Sequence, residues 1–312
     1  MMPQFKILFM GTSRFAVPAL QALVAGGQQV AAVITRPDKP AGRGLQVRHS
    51  PVKEAAESLG LAVWQPRRVS SPESQAEIAQ LAPELTVVAA YGQLLSQAVL
   101  DIPRLGNINI HGSLLPRYRG AAPIQRAIMA GETETGVTTI WMSAGLDEGD
   151  IILQRTTPIG PAETYGALHD RLALLGAELL METIAAVAAG TAPRLPQDNT
   201  QASFAPPIRP AETHLRWESP AAALFDLLRA LAPAPGGYSF WRGKRLKIWQ
   251  AEKINTIAGI PGKIVEFSLR GPVVATGSGG LCLVEVQPEG RKRMSGGEFV
   301  RGYRPNVGDI LE

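Results

Sequence analysis

The chain has 312 residues, 45% of them hydrophobic and 19% charged, with a formal net charge of +4. That length fits two domains at ~150 residues each, and that composition excludes wholesale disorder. One cysteine, Cys282, excludes an internal disulfide, and with only four histidines no metal site is expected.

The amino terminus carries no basic run ahead of a long apolar segment. No apolar stretch approaches the ~18 residues of a membrane span, Leu85–Tyr91 being among the longest. A soluble cytoplasmic protein with no membrane partner is expected. The predicted strands are Phe5–Met10, Val30–Ile34, Leu85–Ala90, Asn107–His111, Val137–Met142 and Ile151–Arg155. Amphipathic stretches at Phe15–Val24, Pro51–Leu59 and Ser74–Leu81 are predicted helices between the early ones. This alternation predicts an α/β fold whose mostly parallel sheet is covered on both faces and gathers ligands at its carboxyl edge.

Ala188–Pro210 holds Gly190, Pro193, Pro196, Pro206, Pro207 and Pro210 among polar residues and reads as a linker. A helix over Ala221–Leu231 follows, with Leu224, Leu227, Leu228 and Leu231 on one stripe. Short strands are then predicted at Arg245–Gln250, Lys263–Ser268, Val273–Thr276 and Leu281–Val286, without helical crossovers, as in a small β-barrel. From Pro206 to Glu312 there are 15 basic and 10 acidic residues, against 16 and 17 in the remainder. The positive excess lies in the last third, which fits either a polyanion partner or a solvated basic surface.

Gly11 ends the first strand, with Thr12 or Ser13 placed to cap the next helix, but the G-x-G-x-x-G spacing of a dinucleotide site is absent. A phosphate-cradling G-x-x-x-x-G-K-[ST] is absent as well. Thr35–Gly44 carries two prolines, two glycines and three basic residues. It is expected to form no regular element, and its composition fits either a mobile surface loop or one that grips an anion or a nucleic-acid backbone, with Arg43 as the contact. In Asn107-Ile108-Asn109-Ile110-His111-Gly112, alternation puts Asn107, Asn109 and His111 on one face. An amide beside an imidazole at a strand end can stabilise an oxyanion and manage a proton. The loop Gly145-Leu146-Asp147-Glu148-Gly149-Asp150, expected at another carboxyl end, offers carboxylates to orient His111 or accept a proton, with metal binding as the competing reading although calcium-loop spacing is absent. No Ser or Cys stands in a nucleophile elbow, so direct transfer to a bound nucleophile is expected.

These runs, together with Phe9-Met10-Gly11-Thr12, Arg36-Pro37-Asp38-Lys39-Pro40-Ala41-Gly42-Arg43-Gly44, Ser50-Pro51-Val52-Lys53 and the continuation Ser113-Leu114-Leu115-Pro116-Arg117-Tyr118-Arg119-Gly120-Ala121-Ala122-Pro123-Ile124-Gln125, resemble the methionyl-tRNA formyltransferase family over nearly the whole chain. The resemblance implies a Rossmann-like formyltransferase domain over residues 1–189, a linker over 190–207 and a basic OB-like barrel over 208–312. It implies 10-formyltetrahydrofolate as co-substrate, charged initiator tRNA as acceptor, no metal, and a monomer. Carried over by position, Asn109, His111 and Asp147 match the catalytic trio, and Ser113, Leu114, Leu115 and Pro116 the folate-binding segment. Arg43 falls in the loop directed at the tRNA acceptor end, while Lys244, Arg245, Arg291, Lys292 and Arg293 are candidates for holding tRNA phosphates, alongside Lys247. The chain departs from the family pattern at Pro207, Arg216 and Ala234, where a lysine, an aspartate and a tryptophan are usual. A formyltransferase acting on a small amine, a formyl-folate hydrolase and a catalytically silent RNA-binding protein are the alternatives.

Overall fold

The structure, a computed structural model, describes residues 3–41 and 46–312. It divides into two compact units, one of Met1–Pro123, Glu134–Pro158 and His169–Ala205, the other of Ile124–Thr133, Ile159–Leu168 and Pro206–Glu312. The chain runs through β1 (Lys6–Gly11), α1 (Val17–Ala25), β2 (Gln29–Ile34), β3 (Lys39–Ala41), β4 (Gln46–Arg48), α2 (Pro51–Ser58), β5 (Val63–Trp64) and α3 (Pro72–Leu81). There follow β6 (Leu85–Ala89), α4 (Gln97–Leu100), β7 (Asn107–His111), α5 (Pro123–Met129), β8 (Glu134–Trp141), β9 (Ile151–Pro158) and α6 (Tyr165–Ala188).

Seven strands of the first unit form a sheet in the order β5-β2-β1-β6-β7-β8-β9. The first five run parallel, β8 runs antiparallel to them, and β9, antiparallel to β8, runs their way again. β1 is apolar on both faces and fully buried after Lys6, as a central parallel strand requires. Strand order reverses between β1 and β6, the switch point at which α/β sheets open a crevice. The Thr12 hydroxyl donates to the Tyr91 carbonyl across that point at 2.9 Å. Neither Thr12 nor Ser13 therefore caps the next helix: Ser13 precedes a 3-10 turn without a side-chain bond. α2 and α3 do start on serine caps, Ser50 and Ser71, whose hydroxyls accept from Lys53 N and Ser74 N ahead of a first-turn proline.

The cationic loop contains regular structure after all. β3 pairs antiparallel with β4, Lys39 opposite Arg48 and Ala41 opposite Gln46. A two-stranded ribbon has a free edge on each strand, where a proline such as Pro40 costs no ladder bond.

The second unit adds α7 (Ala221–Ala230), β10 (Gly237–Trp241), β11 (Lys244–Ile254), β12 (Ile264–Phe267), β13 (Pro272–Ala275), β14 (Gly280–Pro288), β15 (Met294–Ser295) and α8 (Gly296–Tyr303). Its antiparallel order is β10-β11-β14-β13-β12, with β15 on β14. Residues 309–312 join the two edges. Glu312 exchanges both backbone bonds with Phe240 at 2.9 Å, while Leu311 N donates to Gly262 O and Ile264 N to Asp309 O, each at 2.8 Å. The sheet is thereby closed into a barrel around Leu215, Trp217, Leu224, Ile248, Leu283 and Phe299. The composition of β10 hid it, because Gly237 and Ser239 dilute its aromatics. α8, which the sequence reading does not predict, starts on a capping box in which Ser295 accepts from Glu298 N and the Glu298 carboxylate accepts from Ser295 N.

Candidate active site

β7 is buried at four of its five positions and presents Asn109 and His111 on one face. Asn107, on the same face, is drawn into the fold, its amide donating to the Leu100 carbonyl at 2.6 Å. Ile108 and Ile110 anchor the other face in the core. An added Cβ on Gly176 would lie 2.9 Å from the Ile110 side chain, so α6 packs closely there. Buried aliphatics thus fix the strand on one side and leave an amide and an imidazole aligned on the other.

Asp147 completes the set by a route that the sequence reading did not foresee. β8 is antiparallel to β7, with Trp141 opposite Ile108 and Thr138 opposite His111. The loop after β8 therefore starts beside the amino end of β7, away from the edge where β1, β6 and β7 finish, and must come forward over the sheet. Gly149 permits this return, because a Cβ there would lie 1.7 Å from the Trp141 carbonyl oxygen. Asp147 itself sits in the left-handed region at φ 51°. Its Oδ1 accepts from Asn109 Nδ2 at 3.3 Å and its Oδ2 from Gly120 N at 2.9 Å. The same Oδ2 stands 3.6 Å from His111 Nδ1.

His111 is 5% exposed. Its Nε2 lies 2.9 Å from the carbonyl oxygen of Tyr118. A carbonyl can only accept, so Nε2 carries the hydrogen and Nδ1 is the nitrogen turned toward Asp147. Tyr118 offers that carbonyl from a left-handed backbone at φ 63°. Gly120 follows at φ 122°, where a side chain would meet the Ala205 carbonyl oxygen at 2.8 Å. Strained positions on both sides of the imidazole indicate a geometry held for use.

Further residues hold this geometry. Gln197 Nε2 donates to the carbonyls of Asp147 and Gly149, at 2.8 and 2.7 Å. Its Oε1 accepts from Nε and Nη2 of the buried Arg119, at 3.0 and 2.8 Å, and Arg119 also donates to Asn199 Oδ1. Gln197 and Asn199 lie in the stretch that reads as a linker, and nothing in their local pattern marks them.

The four folate candidates divide in the structure. Ser113 is fully buried and donates to the Arg117 carbonyl at 2.7 Å, and Leu115 is buried beside it. Thr138 donates to the Ser113 carbonyl at 2.7 Å and accepts from Leu115 N at 3.2 Å and Gln154 Nε2 at 3.0 Å. Leu114 and Pro116 stay half-buried. Ser113 and Leu115 shape the loop, and Leu114 and Pro116 keep surface to offer a ligand.

Of the tRNA candidates, Arg43 lies outside the described residues. Lys244, Arg245, Arg291, Lys292 and Arg293 are all exposed on the second unit. No group of three or more His, Cys, Asp or Glu among the described residues is placed to hold a metal ion.

Residues 5–184 match the Formyl transferase family, and residues 207–304 match the Formyl transferase, C-terminal domain family. The chain is 50% identical over 307 residues to a methionyl-tRNA formyltransferase of Moorella thermoacetica, covering 98% of this chain and 99% of that protein. It is 52% identical to one from Symbiobacterium thermophilum, covering 97% and 94%. Among solved structures, an N-formyltransferase from Helicobacter canadensis in complex with folinic acid and dTDP-3-aminofucose superposes with a TM-score of 0.68 at 18% identity, over 91% of this chain and 100% of that one.

Proposed function

We propose a mechanism from one premise: the chain belongs to the formyl transferase family, in its methionyl-tRNA formyltransferase branch. The enzyme transfers a formyl group from 10-formyltetrahydrofolate to the α-amino group of methionyl initiator tRNA, for translation initiation. The observation that carries the mechanism is the convergence of Asn109, Asp147 and a His111 whose Nε2 is already occupied.

The co-substrate brings an activated formyl carbon and a nitrogen leaving group. The residues present fit that chemistry, for they offer an amide, an imidazole and a carboxylate, while the hydroxyl of Ser113 is engaged elsewhere. The neutral amine of the acceptor attacks, and negative charge gathers on the formyl oxygen. Asn109 Nδ2 has two hydrogens: Asp147 accepts one, and the other is directed to that oxygen. His111 Nδ1 takes the proton lost by the amine. The imidazolium so formed stands between the Asp147 carboxylate and the oxyanion, then returns a proton to the departing nitrogen. Preorganised donors of this kind contribute ~3 kcal/mol each. Leu114 and Pro116 supply apolar surface to a flat heterocycle.

Catalysis is assigned to residues 1–189 and tRNA holding to 208–312, with 190–207 joining them and lending Gln197 to the site. Exposed Lys244, Arg245, Arg291, Lys292 and Arg293, with Arg43, are the proposed tRNA contacts. We place the enzyme in the cytoplasm as a monomer. No helix among the described residues is long and apolar enough to cross a membrane.

The test is transfer of labelled formyl from the folate, comparing charged initiator tRNA, uncharged tRNA and free methionine. Label is expected on the charged initiator alone. His111→Ala and Asn109→Ala should each lower kcat by about 10²–10³-fold. Full activity in His111→Ala would overturn its assignment.

A further inference from the structure

The basic candidates on the barrel are of two physical kinds. β10 and β11 pair with Tyr238 opposite Lys247 and Phe240 opposite Arg245. Alternation buries Leu246 and Ile248 and turns Tyr238, Phe240, Arg245, Lys247 and Trp249 outward. The guanidinium carbon of Arg245 lies 3.8 Å from the centroid of the Tyr238 ring, and that of Arg293 lies 3.3 Å from the centroid of Trp249. At such distances both guanidinium groups lie in contact over their rings.

The rings are themselves supported. His214 stacks on Tyr238 at 4.8 Å with 16° between planes. Trp249 donates to Gln287 Oε1 at 3.1 Å, and Gly236 packs against its six-membered ring, where a Cβ would lie 2.7 Å away. Arg293 Nη2 donates to the Pro233 carbonyl at 3.2 Å. The Glu289 carboxylate approaches β11 but accepts from the backbone N of Arg245. Among the described residues neither guanidinium is paired with a carboxylate. Each arginine thus rests on a supported ring and keeps its charge. A phosphate is served well by a mobile ammonium, whereas a guanidinium backed by a ring can offer its own plane to the π face of a base.

We infer that Arg245 on Tyr238 and Arg293 on Trp249 are stacking platforms for unpaired bases of the tRNA substrate, while exposed Lys244, Arg291 and Lys292 hold its phosphates. The inference rests on methionyl initiator tRNA being the acceptor.

Arg245→Lys and Arg293→Lys keep the charge and remove the plane. In the full-length enzyme each should lower kcat/KM for methionyl initiator tRNA about tenfold, with the slope of log(kcat/KM) against log salt unchanged. Lys244→Gln should instead make that slope shallower by about one. Tyr238→Ala, which removes the ring under Arg245, should match Arg245→Lys. As competitors, an unstructured RNA oligonucleotide should inhibit the wild type better than a duplex with the same number of phosphates. That preference should vanish in the two Arg→Lys variants. Wild-type kinetics in both variants, or a single-strand preference that survives in them, overturns the inference. Failure of the acceptor reading shows separately, as a wild-type enzyme that does not formylate charged initiator tRNA at all.

Discussion

At the scale of single residues, the site depends on groups that never touch the reacting atoms. Asp147 serves Asn109 and His111 only while its strained backbone is held, and Gln197 bonds its carbonyl and that of Gly149. Gln197→Glu keeps the acceptor for Arg119 but loses both donors. It should lower single-turnover rate by about 10–100-fold while KM for tRNA stays unchanged, since displacements of ~1 Å cost that much. An unaltered rate would make Gln197 merely structural. Tyr91 poses the opposite case. Among the described residues its buried hydroxyl has no hydrogen-bond partner, and burial pushes its pKa up to about 12. Tyr91→Phe removes an unsatisfied polar group and should raise stability by about 1 kcal/mol in urea unfolding, with no change in m. Asn109 and His111 were legible in the sequence because two-residue alternation and the glycine after them fix a face and an end. Gln197 was not, since its contact with Asp147 spans 50 residues from a stretch whose prolines say only that the chain is extended.

At the scale of elements, the same rule separates what could be read from what could not. Apolar runs and amphipathic stretches marked six strands and the helices α1, α2 and α3 of the first unit, but not α4, α5, α6 or β3 to β5, and strand direction is set by pairing across the sheet and leaves no local mark. The antiparallel course of β8 therefore changed the approach of Asp147 without changing its partners. The β3–β4 ribbon was hidden by its composition, but its base is well anchored. Asp38 accepts from Lys53 Nζ at 2.6 Å and from Gln65 Nε2 at 2.8 Å, and stands 2.9 Å from His49 Nδ1. The Lys53 bond first, then those of Gln65 and His49, hold the Asp38 carboxyl near a pKa of about 2, below its ordinary 3.8. A depressed carboxyl stabilises the fold fully above its unfolded value and loses that contribution as pH falls toward the folded one. With its side chain partly in solvent, Asp38→Asn should cost about 1 kcal/mol at pH 7. The difference from wild type in urea unfolding should hold down to pH ~5 and narrow below pH ~3.8. A gap of equal size at pH 3 would remove the ion pair as its cause.

At the scale of the molecule, the two units interleave along the sequence. Arg126 of α5 donates to the Pro206 and Pro207 carbonyls and pairs with Glu212, while Arg229 reaches the carbonyls of Gly160 and Glu163. Gly166 N donates to the Ala232 carbonyl. Cutting the chain after Ala205 would strip these partners from segments left behind in the amino-terminal piece, so loss of activity in that fragment would report misfolding as readily as lost tRNA. Salt divides the roles without cutting the chain. Pro206–Glu312 carries 15 basic against 10 acidic residues, and the rest of the chain is close to neutral. If that excess holds phosphates, log(kcat/KM) for charged tRNA should fall linearly with log salt, by about 10–10³-fold between 50 and 200 mM KCl. The rate of transfer at saturating tRNA should stay constant if Asn109, His111 and Asp147 act as proposed, since they stand at contact distance, where screening is weak. A fall of equal size in that saturated rate would place the salt effect at the catalytic face and leave the basic barrel without its assigned work.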